Sequence, residues 1–234
     1  MSSLDESLQA NLRQVHERIN SAARSVQRTV DSVVLVAVSK TFSADAIVAA
    51  ARCGVRHFGE SYVQEALEKI AQVRAPAGLE LQWHFIGPIQ SNNTRAIAES
   101  FDWVQSVDRM KIAQRLSEQR PAGRAPLNVL LQVNISGEAT KSGVPPEEVA
   151  ALASAIAALP RLRLRGLMAI PEPEADPARR RVPFARMRAL FDALRARGLA
   201  LDTLSMGMSD DLEAAIAEGA TMVRIGSALF GRRG

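Results

Sequence analysis

Short apolar runs and stretches of helical period alternate eight times between Val33 and the C-terminus, and that alternation limits the folds open to this chain. Strands separated by helical crossovers pair in parallel, because the helix carries the chain back to the end of the sheet where it began. The apolar runs are Val33–Val38, Val55–Phe58, Leu81–Ile86, Trp103–Ser106, Asn128–Val133, Leu164–Ala169, Thr203–Ser205 and Thr221–Ile225. The helical stretches are Ala44–Arg52, about Ser61–Val73, Thr94–Ser100, Arg109–Gln119, Pro145–Leu159, Val182–Arg197 and Asp210–Glu218. The first run, Val-Val-Leu-Val-Ala-Val, has no polar alternation and suits a strand buried on both faces. Eight units in about 200 residues fit a compact (β/α)8 (TIM) barrel better than an open doubly wound sheet.

Residues 1–30 carry Leu4, Leu8, Leu12, Val15, Ile19 and Ala22 at helical spacing. They predict a leading helix that covers the bottom of the barrel or packs on its side. The gaps hold Pro76-Ala-Gly78, Pro121-Ala-Gly123 and a longer Pro171-to-Pro177 loop, long enough to cover a site. None divides the chain, so 1–234 is read as one α/β domain.

Composition removes several classes. A single cysteine, Cys53, rules out an internal disulfide and a multi-cysteine zinc site, and the three histidines (His16, His57, His84) have no ligand-like spacing, so no metal is expected. Nothing resembles a membrane span, and the charged, amphipathic N-terminus lacks an export signal's apolar core. The expectation is a soluble, cytoplasmic protein without a membrane partner. A net charge of +4 and a pI of 9.8 hint at nucleic acid, but no base-stacking aromatics cluster with the arginines, so none is expected. Of the 29 basic residues only Lys40, Lys69, Lys111 and Lys141 are lysines, so amine chemistry has few candidates.

Barrel active sites lie at the C-terminal ends of the strands. Around that rim the sequence places Lys40 after strand 1, His84 in strand 3, Asn134 after strand 5 and Met168 at the end of strand 6. Ser205-Met206-Gly207 follows on strand 7, and Arg224-Ile225-Gly226-Ser227 on strand 8. Lys40 is either a solvated lysine or an amine whose pKa a barrel mouth lowers, able to condense with an aldehyde. The loops after strands 7 and 8 are either plain turns or a phosphate cradle of glycines with the Ser205, Ser209 and Ser227 hydroxyls. Asp210 and Asp211 would repel an anion and are expected in the first turn of the following helix. An imine-forming lysine beside a phosphate pocket suggests pyridoxal 5′-phosphate (PLP). Arg224 beside the pyridine nitrogen would leave it unprotonated and the ring a weaker electron sink.

At these residues the sequence resembles the YggS/PROSC family of PLP-binding (PLP homeostasis) proteins. The matching stretches are AVSKTFSADAI, HFGESYVQEALEK, WHFIGPIQSNNTR, LLQVNISGEATKSGV, LRGLMAIP and LSMGMSDDLEAAIAEGATMVRIGSALFG, in order from residue 35 to 231. The resemblance implies the barrel of the alanine racemase N-terminal domain and PLP held on Lys40 as an internal aldimine. It further implies phosphate contacts from Ser205, Gly226 and Ser227, and Arg224 near the pyridine nitrogen. Met206, Gly207, Asn134, Met168, His84 and Lys141 are further candidates. Two positions depart from the family pattern: Ser61 stands for an asparagine and Asn93 for a lysine, which bears on affinity rather than on Lys40 or the phosphate loops.

The family implies intracellular PLP (vitamin B6) homeostasis without catalytic turnover, with PLP and PLP-requiring apo-enzymes as partners and a monomeric state. A two-base racemase needs an acid/base opposite the lysine. The only tyrosine, Tyr62, lies early in the helix after strand 2, where core or rim packing is expected. Lys141, in the loop after strand 5, is a solvated lysine or a second amine that takes PLP from Lys40 by transimination. Cys53, His57 and His84 read as packing residues, His84 with the option of a cofactor contact. The alternatives are a PLP-dependent amino-acid enzyme, racemase-like, and a sugar-phosphate barrel enzyme using Lys40 without PLP.

Overall fold

In a computed structural model, eight parallel strands close into a barrel in chain order, the eighth pairing with the first. The structure describes residues 3–73, 80–137 and 142–231. The elements are α1 (Ser3–Ser25), β1 (Val34–Val38), α2 (Ala44–Arg52), β2 (His57–Glu60), α3 (Val63–Gln72), β3 (Gln82–Phe85), α4 (Thr94–Ser100) and β4 (Trp103–Val107). They continue with α5 (Met110–Gln119), β5 (Leu127–Gln132), α6 (Val149–Ala157), β6 (Leu162–Met168), α7 (Pro177–Ala196), β7 (Thr203–Ser205), α8 (Leu212–Ala217), β8 (Met222–Ile225) and α9 (Ser227–Phe230).

The period-two alternation of the strands sorts the core into two parts. Outward residues such as Leu35, Ala37, Phe58, Phe85, Val104, Leu131, Leu167 and Val223 join the helices in one large apolar core. Val36, Trp103, Leu130, Met168 and Met222 form a second, small cluster inside the barrel. It is small because His84, Gln105, Ser205 and Arg224 are buried beside it.

Several element bounds differ from the sequence reading, and two of the shifts have a visible cause. β2 starts at His57, because Val55 belongs to the end of α2: Val55 N donates to Ala50 O and Gly54 N to Ala51 O, with Gly54 at φ +102°. That double bond around a left-handed glycine is a Schellman stop. α7 begins at Pro177, not Val182; Asp176 caps it through Ala178 N, and Pro177 suits the first turn, where an N–H is not needed. Pro183 lies inside the helix. The loop expected to reach Pro177 therefore ends earlier. α1 packs on the side of the barrel, one of the two placements expected: Arg18 pairs with Glu213 of α8 at 2.7 Å, and Asn11 Nδ2 donates to Leu229 O of α9.

Candidate functional site

Because β8 closes on β1, the ends of β7, β8 and β1 are neighbours, and they bring Ser205, Arg224, Gly226, Ser227 and Lys40 to one sector of the C-terminal rim. Arg224 is 3% exposed. Its Nη1 donates to Ser205 Oγ at 2.7 Å and its Nη2 to Ala169 O at 2.9 Å. Among the described residues no carboxylate reaches ion-pair distance of it. Burial pushes the guanidinium down to about 10, with the charge of Asp211 pulling the other way. Two of its five N–H donors are thus used, and a cation this desolvated invites an electron-rich partner.

Lys40 is half-buried in the turn that leaves β1. Thr41 beside it takes φ +69°, a left-handed conformation uncommon for a non-glycine residue. A buried ionic cluster holds that backbone on both sides. Lys69 Nζ donates to Ser39 O at 2.8 Å and pairs with Glu60 at 2.9 Å and Glu65 at 2.6 Å. Ser39 Oγ donates to Glu60, and Thr41 N donates to Glu65 at 2.5 Å. Burial raises the Glu60 carboxyl above its usual range, against the pull of Lys69 and Ser39, and its second oxygen, Oε2, is buried without a partner. Burial also acts to raise Glu65, but the bonds from Lys69 and Thr41 N and the charges of Lys69 and Lys40 hold it below its usual range. Lys69 is the residue that sequence reasoning missed. Its signal was the helical register that turns it inward nine positions after Glu60, legible only once α3 is placed.

The loops after β7 and β8 are tightly built. Gly207 has φ +96°, and a Cβ there would lie 2.6 Å from the Ala215 Cβ. Its carbonyl accepts from Arg224 N, so the two loops are tied together. Met206 is buried, whereas Ser227 is exposed at the start of α9, with Gly226 before it. Asp211 stands just before α8 rather than inside its first turn; its carboxylate accepts from Met208 N at 2.6 Å, while Asp210 lies in the preceding turn. Burial raises the Asp211 carboxyl.

The remaining candidates are spread more widely. Met168 ends β6 within the inner apolar cluster. The Asn134 side chain accepts from Gly137 N at 3.1 Å. His84 is fully buried inside the barrel, stacked on Trp103 and bonded to His57 and Gln105. Lys141 lies outside the described residues. Tyr62 does not pack as expected: it directly precedes α3 and is 56% exposed. Of the two departures, Ser61 lies in the turn after β2 with its backbone against Gly87, and Asn93 ends the short turn before α4. Cys53 caps the C-terminal end of α2 and packs against the main core.

Among the described residues no group of three or more His, Cys, Asp or Glu is arranged to hold a metal, and no helix is long and apolar enough to cross a membrane. The donors present suit PLP instead: a rim amine, a buried guanidinium without a carboxylate, and glycine-containing loops after β7 and β8. The family model "Alanine racemase, N-terminal domain" matches residues 6–234. The pyridoxal phosphate homeostasis protein of Pseudomonas aeruginosa is 63% identical over 223 residues, 95% of this chain and 94% of that one. PipY of Synechococcus elongatus, solved with PLP bound, superposes with a TM-score of 0.79 at 40% identity, covering 93% of this chain and all of PipY. An alanine racemase of Clostridium difficile shares the fold at 18% identity with a TM-score of 0.75; the match covers 97% of this chain and 57% of the racemase.

Proposed function

The chain belongs to the family of pyridoxal phosphate homeostasis proteins built on the alanine racemase N-terminal domain, and from that premise we propose that it holds PLP on Lys40 and acts as a carrier rather than a catalyst. The observation that carries the reading is Arg224, a buried cation without a carboxylate beside the end of the strand that leads to Lys40. When bound, PLP supplies an aldehyde that condenses with a primary amine and a pyridine ring that withdraws electrons from it.

The chain's own residues do the rest. Lys40 presents the amine, steadied by Ser39 and Thr41 in the grip of the Glu60–Lys69–Glu65 cluster. Arg224 can only donate, so it cannot protonate a ring nitrogen the way a carboxylic acid does, and it disfavours a second positive charge beside it. Beside the ring nitrogen, as the family match implies, Arg224 would disfavour its protonation and leave the ring a weaker electron sink. Gly226 and Ser227, with Ser205, would form the phosphate-side wall by their match to the family.

Carrier function also fits the position of Tyr62. An exposed tyrosine on the rim after β2 is poorly held for proton transfer on a defined face. The racemase reading requires turnover, so the two are separated directly. The loaded protein is mixed with L-alanine and, separately, with the apo form of a PLP-requiring enzyme. The proposal expects no D-alanine at ordinary enzyme rates and recovery of the apo-enzyme's activity. Racemisation at such rates would replace it by the enzyme reading.

A further inference from the structure

An unbroken line of hydrogen bonds crosses the barrel interior from its N-terminal end to the site. Arg224 Nη1 donates to Ser205 Oγ at 2.7 Å, and Ser205 Oγ reaches Gln105 Oε1 at 2.7 Å. Gln105 Nε2 lies 2.9 Å from His84 Nδ1 and 3.2 Å from the Met222 sulfur. His84 Nε2 lies 2.9 Å from His57 Nδ1. Ser205 is the last residue of β7 and His57 the first of β2, so the line runs the height of the barrel. Gln105, His84 and Ser205 are buried, while His57 is half-buried.

The chemistry of these groups gives the line one direction. A guanidinium has no acceptor, so Ser205 Oγ accepts from Arg224 and its own proton goes to Gln105 Oε1. A thioether has no donor, so the Gln105 amide nitrogen is the end that faces Met222 and His84. His84 Nδ1 must then accept, which leaves the proton on Nε2, and that proton is donated to His57 Nδ1. Every donor from Arg224 onward points toward His57. A buried polar line of this length is costly unless every member is satisfied.

We propose that His57, His84 and Gln105 are positioning residues that aim the Ser205 hydroxyl, and that one proton taken up at His57 reverses the whole line. A protonated His57 carries hydrogens on both nitrogens, so His84 Nε2 must accept. The pair gains one proton in all: His57 Nδ1 becomes protonated, and the His84 proton sits on Nδ1 instead of Nε2. Gln105 then turns its oxygen to His84 and its nitrogen to Ser205, giving up its weak amide contact to the Met222 sulfur for the bond from His84. Ser205 accepts from both Arg224 and Gln105, and its O–H, still intact, turns to donate a hydrogen bond to whatever acceptor lies in the site.

The groups facing His57 permit such a proton. Asp102, before β4, favours the charged form and is itself paired with Arg124 at 3.0 Å. His84 on β3 faces it directly. Arg165 on β6 lies over Trp103 at 4.8 Å and is paired with Asp202 at 2.7 Å. Arg56 is turned onto the carbonyls of Ala51 and Val55, and Arg224 stands at the far end of the line. Burial is the larger influence and holds His57 below its usual 6.5. His84, buried and beside a second imidazole, lies well below it and stays neutral.

What the freed hydroxyl does for a phosphate or a ring rests on the PLP reading; the direction of the line does not. The test therefore has two parts. Nitrogen-15 NMR of the unloaded protein reads the tautomers of its three histidines, with His16→Gln to assign them. His84 is expected to carry its proton on Nε2 at pH 8 and on Nδ1 once His57 titrates. A proton on Nδ1 at pH 8, or a tautomer indifferent to His57, overturns the proposal without reference to PLP. The second part compares PLP affinity at pH 8 and pH 5.5 in wild type and in His57→Gln, which can accept from His84 but cannot titrate. Wild type is expected to gain about tenfold over the variant on acidification, the worth of one hydrogen bond to an anion. Equal ratios in the two proteins would also overturn it.

Discussion

The residues that matter most here are the ones whose surroundings, not identities, set their roles. Of four lysines, Lys40 stood out by its place after the first strand, while Lys69 looked like an ordinary helix residue. Its side chain is 8% exposed and joins two carboxylates and a backbone carbonyl beside Lys40. Lys69→Met leaves Glu60 buried and uncompensated, and is expected to cost about 3–5 kcal/mol in urea unfolding. It should also slow PLP loading, followed by the growth of visible absorbance, because Ser39 and Thr41 lose their common anchor. Lys69→Arg restores charge but not the compact ammonium geometry, and should recover stability more than loading. Gly207 is the second case. Its φ of +96° and the 2.6 Å approach to Ala215 make Gly207→Ala costly by about 1–3 kcal/mol, seen as a thermal midpoint lowered by several degrees.

At the scale of elements, the strand order and most helices were legible because parallel strands buried on both faces leave apolar runs without alternation. Ala44–Arg52, Thr94–Ser100 and Thr203–Ser205 have the same bounds in the sequence and in the structure. Two of the boundaries that moved were set by geometry that a composition reading misses: the glycine stop that claims Val55 for α2, and the Asp176 cap that starts α7 ahead of Pro183. β6 hides another. Gly166 takes φ +154° at an irregularity in its pairing with β5, and a Cβ there would fall 1.8 Å from Thr203 O. Gly166→Ala should therefore push β7 away from β6, and since Ser205 ends β7, weaken PLP binding together with stability. Circular dichroism and PLP titration would record both losses; a variant with wild-type affinity and midpoint would refute the close approach.

For the whole molecule, the barrel interior combines a small apolar cluster with a polar line, and this sets its pH response. His57 and His84 are held below 6.5 when folded and return to about that value on unfolding. Below 6.5 the unfolded chain binds more protons, so stability is whole above that pH and declines as pH falls. The loss should approach about 1.4 kcal/mol per pH unit from His84, with less from half-buried His57. Urea midpoints between pH 7.5 and 5.5 should fall in wild type and fall less in His57→Gln. The rim site was legible as a list of residues, but its coherence came from closure, which sets β7, β8 and β1 side by side. The central claim, that Lys40 at this rim holds PLP, is tested most directly by the near-ultraviolet and visible spectrum of the protein with added PLP, compared with Lys40→Ala. A visible band in wild type that is absent from the variant is the predicted result. No band in wild type, or the same band in both, would contradict it.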